Sequence, residues 1–318
     1  MSGKEPGGRP AASVGGQAVI EGVMMRGKRH WALACRRPDG TISLHSEALK
    51  PLADRYPILK WPILRGVIAL WESLSLGIKT LGMSANESLG EEERDISKKE
   101  MAVSLIIGVA MAVALFMVLP LLAAGSVRDR FPNSATFVAA EGVLRIAILI
   151  IYIAVVSRIK QLRRVFEYHG AEHKTIHALE SGLELTPGNV LRFSPLHPRC
   201  GTSFLLIVMV LAIAVFSFVP IPPDWTNITY VSLFILSRIV GIPLVVGLSY
   251  EVIKYAGRHK DSSAMKVVTY PGLLLQKLTT SEPDESQIEV AIKALEGVAA
   301  LEPIEIDHGG KADVEVMA

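Results

Sequence analysis

Charge and cysteine are both scarce in this sequence. Only 20% of its 318 residues are charged, against about 25% in a typical soluble domain, whereas 50% are hydrophobic. The surplus of apolar side chains must therefore lie outside an ordinary core. Two cysteines, Cys35 and Cys200, are too few for a disulfide framework and fit a reducing compartment or a role as thiol or metal ligand. A formal net charge of +2 gives no reason to expect a nucleic-acid partner.

Several familiar signatures are missing as well. The sequence has no internal repeat, P-loop or dinucleotide-binding fingerprint. The segment from Met1 to Val14 is rich in glycine, proline and serine and has no apolar core. This composition excludes a secretory signal peptide and predicts a disordered start at residues 1–14. The acidic end, residues 302–318, is also expected to be disordered.

Four apolar stretches are long enough to cross a bilayer, which takes about 20 residues. The sequence therefore predicts an α-helical integral membrane protein with about four transmembrane helices, a membrane domain at residues 101–252 and the lipid bilayer as its partner. The stretches run from about Met101 to Ala124, Phe137 to Ser157, Ser203 to Ile221 and Ile228 to Tyr250.

Lysine and arginine are distributed unevenly over the connecting segments. The link from Pro222 to Trp225 has none, whereas the loop at residues 158–202 and the segment after the fourth stretch hold most of them. The positive-inside rule places that side, and with it both termini, in the cytoplasm of a multi-pass protein of the inner (plasma) membrane. The basic residues on that side are Arg158, Lys160, Arg163, Arg164, Lys174, Arg192, Arg199, Lys254, Arg258, Lys260 and Lys266.

The segment from Ile58 to Ala85 complicates the count of spans. It is apolar but carries Arg65, Glu72 and Lys79, which are seven residues apart and so lie on one stripe of a helix. A transmembrane helix would bury that stripe at about 2.5–3.5 kcal/mol per central charge, whereas a helix lying in the interface would not. We therefore expect residues 58–100 to form an interfacial or re-entrant helix followed by a charged linker.

Small cytoplasmic units are predicted on either side of the membrane domain. In residues 15–57, two strands flank the turn at Pro38 to Gly40, and Gln17 to Met25 supplies a third, so this is a small β-containing unit. In residues 253–301, the pattern predicts a short helix from Pro271 to Leu278 and an amphipathic helix from Ser286 to Ala299.

The candidate metal-binding and catalytic residues begin just after the second stretch. His169, Glu172 and His173 form the order His-x-x-Glu-His, which occurs in inverted zinc peptidases. On a helix, which we expect to continue from the second span, the two imidazoles lie one turn apart and can bind one metal ion. The carboxylate between them can hold or deprotonate a water, which makes Glu172 the candidate catalytic residue. His177 and Glu180 extend the same face and are weaker candidates.

A second half-site lies at the other end of the same loop, where His197 and Cys200 are spaced as two ligands from one turn. Cys200 lies where the third stretch begins, and a helix N-terminus favours thiolate. Antiparallel helices would bring the half-sites together, which predicts one divalent-metal site, with zinc favoured, formed by His169, His173, His197 and Cys200. Otherwise these histidines are interfacial residues without a metal.

Other polar residues are weaker candidates. Four glycines surround Glu21 and Arg26, and glycine permits close backbone approach, so Glu21 could be a further ligand or base. The alternative for these two residues is a surface ion pair on a strand. Arg238 lies inside a predicted span and is a functional candidate for that reason. The alternative for Arg238 is a structural pair with Glu141 or Glu251.

Four stretches of the chain resemble a known family. The motifs are long, and the resemblance runs from about Val14 to Leu295 and identifies the chain as a member of the YqhQ family. That family consists of bacterial membrane proteins of unknown function that are sometimes described as predicted metal-dependent enzymes. The resemblance implies a bacterial membrane location and supplies no substrate. The four stretches are Gly15 to Gly27, His169 to Ile176, His197 to Phe204 and Gly241 to Glu251.

Three functions compete at this point. The first is a metal-dependent hydrolase at the cytoplasmic interface that acts on a peptide, a lipid or another amphipathic molecule, with Glu172 as general base. The second is a membrane scaffold or regulator in which the same four ligands close around the metal as a structural staple. A metal transporter is the third and least favoured, because transport needs polar ligands inside the spans and three of the four have almost none.

Overall fold

A computed structural model describes residues 11–89, 96–198, 200–219, 227–258 and 263–307. The described chain is mostly helical and contains a small N-terminal antiparallel sheet, as the sequence predicted. The strands are β1 Ala11–Ala12, β2 Gly15–Val19, β3 Gly22–Arg26, β4 His30–Arg36, β5 Ile42–Ala48 and β6 Ile306–Asp307. The helices are α1 Leu52–Arg55, α2 Leu64–Glu87, α3 Lys98–Val113, α4 Leu119–Gly125, α5 Ser134–Val156, α6 Lys160–Glu180, α7 Pro187–Val190, α8 Thr202–Phe216, α9 Ile228–Arg258, α10 Ser263–Thr279 and α11 Glu285–Ala299. Short 3-10 turns lie at Pro57–Lys60 and Arg128–Arg130, and a π-helical turn at Ala114–Val118 joins α3 to α4.

The sheet has the strand order β2-β3-β4-β5, and every neighbouring pair is antiparallel. The predicted hairpin is present as β4 and β5, and Gly40 in its turn has a φ of 87°, which favours glycine. The predicted third strand is wrong in one respect, because Gln17 to Met25 is not one strand but the hairpin of β2 and β3. The chain reverses at Ile20 and Glu21, and Glu21 has a φ of 51°.

Helices cover both faces of the sheet. One face presents Met24, Trp31 and Leu33, which pack against Leu76 of α2. The alternate residues, such as Met25 and Ala32, face the other way and pack against α11 and α6. This alternation is the period of two that a strand imposes on its side chains. The predicted amphipathic helix is α11, and its Ile288, Ala291, Ile292 and Leu295 are all buried in this core.

Among the described residues, three helical segments are long and apolar enough to cross a membrane, which is compatible with a membrane protein. They run over Lys99–Gly125, Ser134–Val156 and Ile228–Tyr255. The predicted count of four spans is not confirmed, because α8 has 15 residues. At 1.5 Å per residue it is about 22 Å long, short of the roughly 30 Å of a hydrocarbon core. The link predicted to face the outside lies within residues 220–226, outside the described residues.

Helix α2 does not belong to that set of apolar helices. The three charged residues of its predicted stripe are all paired: Arg65 with Glu251 of α9, Glu72 with Arg26 of β3 and Lys79 with Glu47 of β5. The helix leaves two large apolar side chains exposed, Trp71 by 63% and Leu74 by 54%. Such a distribution is typical of helices that lie in a membrane interface, and the interfacial position of α2 stays a prediction.

The ends of the described chain meet in a second, small sheet. β1 pairs with β6 in antiparallel register, with Ala11 opposite Asp307. Both strands lie in segments predicted to be disordered, of which the structure describes residues 11–14 and 302–307; residues 1–10 and 308–318 lie outside the described residues. The predicted short helix from Pro271 to Leu278 is part of the longer α10.

Candidate metal centre

Helix α6 carries the His-x-x-Glu-His motif. It does not continue from α5, contrary to expectation, because α5 ends at Val156 and α6 begins at Lys160, after Ile159 in an extended conformation. The break allows α6 to lie against the sheet and α11 instead of continuing along the axis of α5. Packing is closest at Gly170, where a Cβ would lie 2.1 Å from the Ser281 carbonyl oxygen.

The two motif histidines are held in one tautomer. His169 Nδ1 lies 2.8 Å from the Thr279 carbonyl oxygen, and His173 Nδ1 lies 2.5 Å from that of Pro195. A carbonyl oxygen can only accept, so each Nδ1 carries the proton and each Nε2 presents a lone pair. Histidine ligands of metals are oriented by this kind of second contact. Burial also lowers the pKa of His173 to about 4, which keeps it neutral and able to act as a ligand.

Cys200 completes the first group. Its Sγ lies 3.3 Å from His169 Nε2 and accepts a hydrogen bond from the Thr202 N–H at 3.4 Å. Burial raises the pKa of this thiol, and the hydrogen bonds from the hydroxyl and the N–H of Thr202 to Sγ act against that effect. The sequence predicted thiolate character at the start of the third apolar helix, and Cys200 lies two residues before α8. One ligand atom from each of His169, His173 and Cys200 lies within 4.8 Å of the others.

His197 belongs to a different group. Its ligand atom lies within 4.8 Å of those of His177 and Glu180, and its ring centroid is 4.4 Å from that of His177 but 5.6 Å from that of His173. Gln276 of α10 fixes this position, because its side chain accepts from the His197 N–H at 2.9 Å and donates to the His197 carbonyl at 2.8 Å. The four predicted ligands are therefore divided between two adjacent groups.

Glu172 is buried beside the first group, with 4% of its surface exposed. Burial raises its pKa to about 7, against the lowering effects of His169 and of a hydrogen bond from the Gly16 N–H. A Cβ on Gly16 would come within 2.9 Å of Glu172 Cγ and 2.7 Å of the Met24 carbonyl oxygen. This is the close backbone approach that the glycine-rich stretch predicted, and it joins the first hairpin to α6.

A cavity of about 570 Å³ opens on these residues. His169, Glu172, His173 and Cys200 lie along its wall, and Gly15 to Ala18 of β2 form another side. The remaining walls are mostly apolar and come from α2, α6, α8 and α9. These apolar residues include Leu70, Leu74, Val165, Phe166, Ile176, Phe204, Leu205, Val208 and Val246.

The candidates in the first hairpin make structural contacts. Glu21 accepts two hydrogen bonds from Arg164, one of them at 2.7 Å, and one from the Tyr168 hydroxyl at 3.2 Å. These contacts attach the turn between β2 and β3 to α6. Arg26 donates to Ser73 at 3.1 Å and so attaches the same hairpin to α2.

The candidates in the apolar helices are also paired. Arg238 lies 3.6 Å from Glu141, and its guanidinium lies over the rings of Phe216 and Phe234. Of the two partners the sequence offered for Arg238, Glu141 is the one in contact. Glu251 instead accepts from Arg65, with one distance of 2.7 Å.

Sequence reasoning missed the groups that hold the ligands in place. The carbonyls of Thr279 and Pro195 give no signal in a sequence, because every residue has a carbonyl. Gln276 had a weak signal, since a buried amide inside an apolar helix must find partners.

The fold and the site together indicate the class of protein. It is mostly helical, has apolar helices that are compatible with a membrane, and contains groups of His, Cys and Glu side chains that could hold a metal. The family model for a protein of unknown function, DUF1385, matches residues 61–301. The chain is also 37% identical over 303 residues to the "Uncharacterized protein YqhQ" of Bacillus subtilis (strain 168), covering 91% of this chain and 93% of that protein. The chain therefore belongs to the YqhQ-like DUF1385 family, which confirms the predicted membership. No solved structure matches it.

Proposed function

We propose that this protein is a membrane-embedded, metal-dependent hydrolase whose site opens at the cytoplasmic interface. One observation carries the proposal: the Nε2 atoms of two tautomer-fixed histidines and a cysteine thiol meet on the wall of a cavity, beside a buried carboxyl group. A set of two imidazoles and one thiolate suits zinc, and catalytic zinc sites use three protein ligands and keep one position open.

Different residues would bind the metal ion and transfer the proton during hydrolysis. His169, His173 and Cys200 would hold the ion, and a divalent ion there would act as a Lewis acid towards a carbonyl group and water. Glu172 would take a proton from the attacking water and give it to the leaving group. The Gly16 N–H holds this carboxyl group in place at the edge of the cavity. Water supplies all the atoms that are added, so no further reactant is needed.

The structural staple is the second candidate, and the group of His177, Glu180 and His197 favours it. These side chains already hold the fold together: His177 Nε2 donates to the Leu196 carbonyl at 3.0 Å, and Glu180 accepts from the Ala12 N–H at 2.9 Å. We assign a stapling role to this second group and keep the hydrolase for the first, because all three side chains of the first group line the cavity together with Glu172, whereas His197 alone of the second group does so.

The test compares Glu172→Gln with Glu184→Gln, a change at an exposed carboxylate after α6. Each purified protein is analysed for zinc, incubated with a library of apolar peptides and acyl esters whose products are identified by mass spectrometry, and assayed for complementation of a deletion strain. We expect Glu172→Gln to keep its zinc and lose turnover and complementation, whereas Glu184→Gln keeps all three. Full complementation by a zinc-containing Glu172→Gln protein would replace the hydrolase with the staple.

A further inference from the structure

Strand β2 forms one edge of the four-stranded sheet, and this edge faces the cavity. The strand order places β3 on one side of β2, and within the described ranges no strand pairs with the other side. Gly15 to Ala18 line the cavity together with His169 and Glu172. An uncovered edge is a template for another extended chain, because it presents backbone N–H and C=O groups at strand spacing.

The register shows which backbone groups point towards the cavity. Val19 lies opposite Gly22 across a two-residue turn, and in such a hairpin this first pair exchanges both hydrogen bonds. Bonded pairs alternate along the ladder, so Gln17 also bonds to β3, whereas the backbone groups of Gly16 and Ala18 point outwards. The hydrogen bond from the Gly16 N–H to Glu172 agrees with this direction. The Gly16 carbonyl and both backbone groups of Ala18 are then directed to the open edge.

The side chains that line the cavity indicate which class of ligand it can bind. Among the described residues that line the cavity there is no lysine or arginine, so no basic side chain is present there to bind a phosphate head group. The apolar side chains of α2, α8 and α9 suit uncharged, hydrophobic groups. A volume of about 570 Å³ is in the range of ordinary ligand sites and suits a few residues of a peptide.

We propose that the cavity binds an extended, uncharged, apolar peptide segment that adds as a strand to the free edge of β2. The inference rests on the proposed hydrolase and names its substrate class. A peptide on this edge passes Glu172, because that carboxyl group contacts Gly16. Cleavage would add the hydroxyl of water to the carbonyl carbon and its proton to the amine as the C–N bond breaks.

The test uses photo-labelling of the full chain in lipid nanodiscs. The probe is an end-capped tetrapeptide of valine and leucine with one photoreactive leucine and no metal-binding group. Its matched controls are the same peptide with alternate amides N-methylated and a photoreactive decanoic acid. We expect the parent peptide to label cavity residues and N-methylation to lower the yield about tenfold, since the edge carbonyls lose a donor.

Variants test the edge directly. Ala18→Pro removes the outward N–H and leaves the β2–β3 bonds in place, whereas Ala18→Gly keeps the N–H. We expect the first to lower peptide labelling about tenfold and the second to preserve it. The comparison with the N-methylated peptide needs no change in the protein. It therefore tests whether the peptide binds to the edge of β2 even if Ala18→Pro does not fold.

Two results would overturn the inference: equal labelling by the parent and N-methylated peptides, or cavity labelling by decanoic acid alone. His173→Ala separates the two proposals, because the probe carries no ligand for a metal. Peptide labelling that persists in this variant supports the edge site whatever happens to zinc. Peptide labelling of a wild-type protein that holds no zinc would support the edge site and refute the hydrolase.

Discussion

Gly16→Ala is the sharpest single perturbation of the site. The added Cβ would lie 2.9 Å from Glu172 Cγ and 2.7 Å from the Met24 carbonyl oxygen, closer than real Cβ contacts. Glu172 can move and the strand backbone cannot easily, so we expect the carboxyl group to be displaced. Overpacking of this kind costs about 1–3 kcal/mol of stability. A displacement of about 1 Å can lower catalysis about 100-fold. Zinc should stay bound, because the three atoms nearest to the added Cβ belong to Met24 and Glu172 and not to a ligand of the first group.

The assay for Gly16→Ala measures three quantities on one preparation: zinc content, the midpoint of thermal unfolding and the rate of peptide hydrolysis. The matched control is Gly188→Ala, where a Cβ would meet nothing within 4 Å. That control should leave all three quantities close to those of the wild type. If Gly16→Ala hydrolyses at the wild-type rate, the position of Glu172 does not matter to the reaction. The role of the carboxyl group as general base would then be refuted.

Three further predictions concern metal, topology and pH. His173→Ala and Cys200→Ala should each remove the ion of the first group, measured by elemental analysis, and a variant that keeps full zinc would exclude that residue as a ligand. A reporter fused after Ile159 should read cytoplasmic and one within residues 222–226 should read outside, from the distribution of basic residues; the reverse result would overturn the orientation. The hydrogen bond from Arg37 lowers the pKa of Glu87 from 4.5 to about 2, so its stabilising effect is full above pH 4.5 and is lost as the pH falls towards 2. Glu87→Gln should therefore lower the unfolding midpoint at pH 7 by about 2 °C and have little effect near pH 2, and an equal shift at both pH values would contradict this.

Features that depend on local periodicity could be predicted from the sequence. The buried stripe of α11, the turn at Gly40 and the paired imidazoles of α6 all follow from spacing along one element. The spacing of the charged residues in α2 predicted a helix for the same reason, and its interfacial position stays a prediction. The hairpin of β2 and β3 was not predicted, because Ile20 and Glu21 are not the Asn-Gly or Asp-Gly pair that marks a two-residue turn.

Features that depend on distant contacts could not be predicted. The length of α8 is one example, since apolar composition continues beyond Phe216 and does not state where a helix ends. The position of His197 is another, because it is set by Gln276, 79 residues further along the chain. The carbonyls that fix the tautomers of His169 and His173 come from separate segments that meet only in the folded protein.

The division of the predicted ligands into two groups bears on the choice between hydrolase and staple. His169, His173 and His177 follow one face of α6, and each is about one turn, or 5.4 Å, from the next. The segment that carries His197 and Cys200 crosses this face, so its two ligands meet different turns: Cys200 meets the first two histidines and His197 meets the third. A closed staple of His169, His173, His197 and Cys200 would need both of them at the same turn, which the contacts of Gln276 oppose. The first group is then left with three donors, and the neighbouring space is the cavity lined by Glu172 and the free edge of β2. Three donor side chains, a neighbouring carboxyl group and a cavity with room for an extended peptide are the features on which the proposed hydrolase rests.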